Sequence, residues 1–348
     1  MSKKGDKLTG STKLRKKMNV VRIPVKPVRV EEAKRMISSA AGQLASGFPP
    51  IPNNDLIYHH GKLIPDLSFF NFYVGKSNDS WNKDDKNSID SALAAAMSDK
   101  NLNNVMVQYF PGRDNITSTF RGSQPLSGDF PERFFKDDIE SLVNDLFSQG
   151  KLDGQDLNNT VFNFMLPSGT MLNEGLSNRP SSHDSSRGLG GYHGSVHVQE
   201  NPSVTIYYAI GVFSEILNGG TNGIAFVDSP WKNIVTTFYH ELNEARTNPD
   251  VEDADRFQQD SGILGWYCDS NESNNIPPGP LGNKVGGECG DIPMDEVFIF
   301  ANGNLSTIVK EVQLTDGTGI VPVQFQYSNA VHGPEGPIST PHTAESST

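Results

Sequence analysis

His240, Glu241 and Glu244 stand in one segment, WKNIVTTFYHELNEARTNPD (231–250), at positions i, i+1 and i+4. On a helix, residues four apart lie one above the other, so an imidazole and a carboxylate at this spacing can hold one metal ion between them. Glu241, beside them, is placed to act as general base on a water that such an ion activates. Asp250 follows His240 by ten positions, just past the point where a helix must stop. A chain that turns back there would bring a third ligand.

This rhythm resembles that of the HExxHxxGxxH zinc hydrolases, with carboxylates in place of the second and third histidines. Thr247 stands where that motif has its turn glycine. The oxygen-rich set is harder than three histidines. It is compatible with zinc, but also with calcium or another divalent ion in a structural role. The same residues would equally furnish a core helix whose outer face carries His240, Glu241 and Glu244, with Asp250 in an acidic turn.

The elements that must position these groups can be read from periodicity. Trp231, Ile234, Val235, Phe238, Leu242 and Ala245 share one stripe of a helix ending at Asn248-Pro249, because proline disfavours helix at itself and in the residue before it. Upstream, LIYHHGKLI, FFNFYVG, VMVQYF (105–110), TVFNFMLP (160–167), VTIYYAIGVF (204–213) and GIAFVD (223–228) are predicted strands, and 85–98 and 134–147 predicted amphipathic helices. Residues 111–131 read as loop. The polar stretch 168–191 reads as a long loop ending in GGYHGSVH, where Tyr192 or His193 is the candidate donor to a developing oxyanion. His193 and His197 are also candidates to line the cleft, or to supply a ligand if Asp250 does not. Downstream, 297–300, 306–314 and 320–328 are predicted closing strands, and the acids Glu252, Asp253 and Asp255 form either a calcium site or a solvated turn.

The fold class expected is mixed α/β (α+β), a twisted sheet with a backing helix and then the active-site helix, followed by a loop- and strand-rich C-terminal part. That order resembles the upper half of metzincin-type zincins. Met294 is comparable with their methionine turn. The division expected is a disordered basic tail (1–29), a short helix with a Pro-rich linker (30–54), a zincin-like α/β part (55–250), a C-terminal part of the same domain (251–330) and a disordered tail (331–348).

Charge narrows the partners. Of 29 Lys and Arg, 12 lie in residues 1–35 against three acids, so the net charge of -12 leaves the remainder near -21. An acidic body argues against nucleic acid as the main partner and is compatible with cation binding. The chain has 348 residues, 35% of them hydrophobic, and no apolar run approaches the ~18 residues of a membrane span. No secretory signal is visible, which leaves retention in the cell, a signal absent from this sequence, or unconventional export. Cys268 and Cys289 could pair or remain free thiols.

Several segments together resemble the phosphate-induced, EXORDIUM-like proteins of plants and their microbial relatives. LIYHHGKLIPDLSFFNFYVGK resembles the family's opening, HELNEARTNP its His-Glu-Leu-x-Glu…Asn-Pro segment, GWYC and ECGDIP its Trp-Tyr and Glu-x-Gly-Asp pieces, and VQFQYSNA its closing strand. The resemblance covers roughly 55–330. It implies a zincin-like site on His240, Glu241, Glu244 and Asp250, with Glu288 and Asp291 as supporting carboxylates or a structural cap. It brings no substrate with it. The few cysteines and missing signal depart from the secreted plant pattern. The function expected is a zinc-dependent hydrolase, foremost a peptidase acting on peptide or protein. The alternative is a non-catalytic protein that binds carbohydrate or peptide and keeps the ion.

Overall fold

The computed structural model describes residues 43–343, apart from 78–79, 199–200, 202, 218–219, 226–228, 258–261 and 269–286. The basic tail and nearly all of the helix expected at 30–44 lie outside the described residues, as does half of GIAFVD; its described residues 223–225 are not strand.

A five-stranded mixed sheet organises the rest. Its strands are β1 (Asp66–Gly75), β2 (Thr117–Ser127), β3 (Thr160–Leu166), β4 (Gly191–His197) and β5 (Thr205–Val212). Their spatial order is β2-β1-β3-β5-β4, all parallel except β4, which runs antiparallel to β5 along one edge. The central strands are apolar on both faces because both are covered. Phe69, Tyr73, Val161, Met165, Tyr207 and Ala209 face one layer, and Phe72, Val74, Phe162, Phe164, Ile206 and Ile210 the other.

The first layer contains α1 (Lys83–Ser98) and, later in the chain, α4 (Pro230–Thr247); the second is α3 (Lys136–Ser148). Right-handed crossovers account for the two sides. The chain steps outward from β1 to β2 through α1, then back across β1 to β3 through α3, so the helices fall on opposite faces. Helix α4 runs under the β5 end of the sheet, and its stripe of Ile234, Val235, Phe238, Leu242 and Ala245 is fully buried there.

Several segments differ from expectation. VMVQYF is not a strand: it ends α2 (Lys100–Met106) and continues as a 3-10 turn, Val107–Tyr109. Asp99 caps α2, accepting from the N–H groups of Asn101 and Leu102. Its apolar run packs with Leu56, Trp266 and Tyr327 in a separate cluster. A short apolar run is equally a strand or a buried helix by pattern alone. Residues 111–131 hold β2, an edge strand whose alternating half-exposure and Pro125 fit pairing on one side only. GYHGSVH, expected as loop, is the edge strand β4.

After α4 the chain starts α5 (Val251–Phe257). VFIF, expected as strand, belongs to α6 (Asp291–Phe300). The strands β6 (Val309–Gln313) and β7 (Ile320–Gln324) form a hairpin whose Val309, Val312, Val321 and Val323 close the core over α1 and α4. The expected C-terminal tail is ordered at its start: β9 (Gly333–Glu335) pairs with β8 (Gln326–Ser328), and Leu44 bridges to Glu335. Cys268 and Cys289 are both buried and form no disulfide. Among the described residues no helix is long and apolar enough to cross a membrane.

Candidate metal centre

Helix α4 starts with Pro230 in its first turn and ends where the Asn248 N–H closes onto Glu244 O at 2.7 Å. It is covered on nearly every side. His240, Glu241 and Glu244, expected on a solvent-facing stripe, meet β4 on one flank and the start of α6 on another.

His193 arrives by register. It is the cross-strand partner of Ala209, so its side chain falls on the sheet face that packs against α4. Its Nδ1 lies 3.4 Å from Glu241 Oε2 and 3.7 Å from Glu244 Oε2. Its Nε2 donates to the Asn248 carbonyl at 3.2 Å and lies 3.7 Å from Glu288 Oε1. On the other side of Glu244, His240 Nε2 is 3.1 Å from Glu244 Oε2, 3.7 Å from Asp291 Oδ1 and 4.0 Å from Glu241 Oε1.

His240, Glu244 and Glu288 are held from behind. The His240 Nδ1–H donates to Gln324 Oε1 at 3.0 Å, and Gln324 Nε2 in turn donates to Gly290 O. The backbone N–H groups of Gly290 and Asp291 both donate to Glu244 Oε1 at 3.0 Å, leaving Oε2 to face the histidines. Asn248 Nδ2 donates to Glu288 Oε1 at 2.8 Å, while Asn248 Oδ1 accepts from Gly265 N–H. Among the described residues, two groups thus bring their donor atoms close enough to hold a metal ion: His193, Glu241 and Glu244; and His240, Glu244 and Asp291.

Electrostatics follow from the crowding. Burial alone pulls the His193 imidazolium down, but Glu288, Glu241 and Glu244 outweigh it and raise its pKa to about 10. His240 is likewise held well above its ordinary value, with Glu244 and Glu241 overcoming burial. Burial pushes Glu288 well up, and burial together with the Glu244 charge raises Asp291 to about 8. Glu244 moves the other way: burial raises it, but His240 and the backbone donors win. Strong opposed shifts in one cleft are a mark of functional sites.

The remaining candidates lie elsewhere. Asp250 does not turn back to His240. The chain enters α5 at once, with Asp250 O accepting from the Asp253 N–H, and the Asp250 carboxylate sits among Asp253, Ser195, Lys62 and His197. Tyr192 occupies the opposite face of β4, edge-on to Tyr208 with ring centroids 6.3 Å apart. His197 pairs with Asp253 at 2.6 Å, and Glu252 with Lys136 at 2.7 Å, so these two acids of the run read as a calcium site or a solvated turn have basic partners. Met294 lies in α6 rather than a turn, on the wall of the same cleft. That cleft, about 1450 Å³, is bounded by β4, the polar segment before it, α4 and the 287–294 segment.

Sequence reading named Glu288 and Asp291 but gave them no firm role, and it missed Gln324 and Asn248. The only signal for Asn248 was its place before Pro249, which marked a helix end and not an amide with two partners. No protein-family model matches the chain, and neither a curated protein nor a solved structure matches it.

Proposed function

We propose that this chain is a metal-dependent hydrolase of zincin type, acting on peptides. The ion would be held by His240, Glu244 and Asp291. The carrying observation is the spacing of the donor atoms: His240 Nε2 stands 3.1 Å from Glu244 Oε2 and 3.7 Å from Asp291 Oδ1. Ligands about 2.1 Å from one tetrahedral zinc stand about 3.4 Å apart, between those two values. Asp291 takes the place that the spacing in α4 had offered to Asp250.

When bound, the ion supplies Lewis acidity and a water of lowered pKa. The rest falls to the protein. Glu241 Oε1 faces the same point and is the group to take the water's proton. His193, held by the Asn248 carbonyl, is placed to donate to a developing oxyanion. The edge strand β4 borders the cleft, where an extended peptide can lie. The strand order, with its antiparallel edge and following helix, supports the zincin reading by analogy of fold. Kinship with the EXORDIUM-like proteins remains part of the same proposal, on the motifs quoted above.

A second reading is favoured by burial. His193, Glu241, Glu244 and Glu288 are all between 3 and 6% exposed, which suits a closed structural ion in a carbohydrate- or peptide-binding protein.

One experiment separates the two. Glu241→Gln and the wild-type chain are compared for zinc content and for cleavage of a peptide library. Hydrolysis should fall by a hundredfold or more with the zinc on His240, Glu244 and Asp291 retained, in line with the ~10²–10⁴ that a general base contributes. Unchanged cleavage would remove Glu241 as the base and overturn the assignment; no cleavage by either protein with zinc bound would give the case to the structural reading.

A further inference from the structure

We infer that the centre takes a second divalent cation, on His193, Glu241 and Glu244, adjoining the ion assigned to His240, Glu244 and Asp291. The inference rests on that first assignment and extends it: where the second ion binds, His193 Nδ1 is a ligand, and the ion replaces the proton there as the partner of a developing oxyanion.

The two histidines are prepared in the same way from opposite sides of Glu244. Gly290 O can only accept, so the Gln324 amide must turn its nitrogen to Gly290 and its oxygen to His240. In the neutral form that a ligand must take, His240 therefore keeps its proton on Nδ1, and the Nε2 lone pair points inward. The Asn248 carbonyl can only accept as well, so neutral His193 keeps its proton on Nε2 and directs Nδ1 inward. A carbonyl behind the ring that fixes the tautomer is the usual support of a metal-ligating histidine. The centre has two such supports.

Glu244 is built to be shared. Its Oε1 is engaged by two backbone N–H groups, and its free Oε2 lies 3.1 Å from His240 Nε2 and 3.7 Å from His193 Nδ1. One carboxylate oxygen has lone pairs for two cations. Ions bound on either side of it would stand at the roughly 3.5–4 Å typical of paired metal centres. Glu241 spans the same gap, with Oε2 3.4 Å from His193 Nδ1 and Oε1 4.0 Å from His240 Nε2.

Charge points the same way. With both imidazoles neutral, as ligands must be, four carboxylates converge here: Glu241, Glu244, Glu288 and Asp291. Their ion pairs run to His193 and His240. Divalent ions are the counter-charge that would let these buried acids ionise together. The nitrogen and oxygen donors suit first-row divalent ions such as zinc or manganese.

The test uses the full chain stripped of metal and reloaded with Zn²⁺ for native mass spectrometry, or Mn²⁺ for low-temperature electron paramagnetic resonance. Wild type should take two zinc ions and give the broad exchange-coupled signal of a manganese pair. His193→Ala and His193→Gln, checked for folding by circular dichroism, should take one ion and give the six-line signal of isolated manganese. One ion in wild type, kept in both His193 variants and lost in His240→Ala, would overturn the second site and leave the first intact. No ion in wild type would remove both. The manganese measurement on wild type needs no variant, so a substitution that fails to fold does not remove the test.

Discussion

At the scale of residues, the candidate centre depends on groups that would not touch an ion bound there. A Cβ added at Gly290 would lie 2.5 Å from His240 Nδ1, so the absence of a side chain there is what lets the α6 turn close onto the ring. Gly290→Ala should tilt His240 away from Gln324 while leaving the core unchanged. We expect zinc affinity to fall by about 10–100-fold, the cost usual for losing an outer partner of a metal-ligating histidine. Competition with a chromophoric chelator measures it; unaltered affinity would show that the ring position is not set by this contact. Asn248 is a similar case, because its carbonyl, amide oxygen and amide nitrogen serve His193, Gly265 and Glu288 respectively.

At the scale of elements, α4 is fastened on the side away from the acids by Arg246, which has no exposed surface. Its guanidinium donates to Pro65 O at 3.0 Å, Thr117 O at 2.8 Å and Asn103 Oδ1 at 3.2 Å, and lies over the Phe110 ring. It thus ties the helix to the starts of β1 and β2. Arg246→Met keeps most of the apolar stem and removes the charged donor from the Pro65 and Thr117 carbonyls and from Asn103 Oδ1, although Pro65 O keeps the Thr117 N–H. A hydrogen bond from a charged donor contributes about 1.5–3 kcal/mol, so a loss of roughly 2–5 kcal/mol in urea unfolding is expected. A loss below about 1 kcal/mol would mean that water replaces the guanidinium and that α4 is held by its apolar stripe alone. Strand β4 teaches a related lesson: with side chains alternating across the sheet, a slip of one residue would exchange His193 for Tyr192 against the helix.

At the scale of the whole molecule, the centre is closed by the C-terminal part, and that part is itself strapped by the first described residues. Ala45 N–H donates to Pro334 O, Ile51 N–H to His332 O, and Asn54 Nδ2 to Glu296 Oε1. Glu296, in α6, is 1% exposed, and burial raises its pKa from 4.5 to about 8, with the Asn54 bond opposing and Asp295 adding. Between those values the folded chain keeps a proton that the unfolded chain has released. The stability tied to Glu296 is therefore full below about pH 4.5 and is lost as pH rises through about 8. Melting temperature should decline across that window by several degrees relative to Glu296→Gln, which stays neutral and keeps an oxygen for Asn54. Parallel curves for the two proteins would show that Glu296 is ionised in the folded state.

What the sequence determined by itself is what local periodicity can encode. The α4 stripe, its stop at Asn248-Pro249 and the His240–Glu244 spacing were legible, because side chains four apart on a helix face one way whatever surrounds them. The buried runs of β1, β3 and β5 were legible for the same kind of reason, since strands covered on both faces are apolar throughout. Tertiary structure alone decided which acid joins His240. Asp291 reaches it from α6 across the closing turn, whereas Asp250, nearer in sequence, is carried off by the start of α5. It also decided that VMVQYF and VFIF are helical, that polar 117–127 is an edge strand, and that His193 faces α4. Those outcomes depend on pairings such as His193 with Ala209 and His240 with Gln324, the latter 84 residues apart. A one-dimensional pattern carries no record of which distant surface will cover a given residue, and in this centre it is the covering that brings the candidate ligands together.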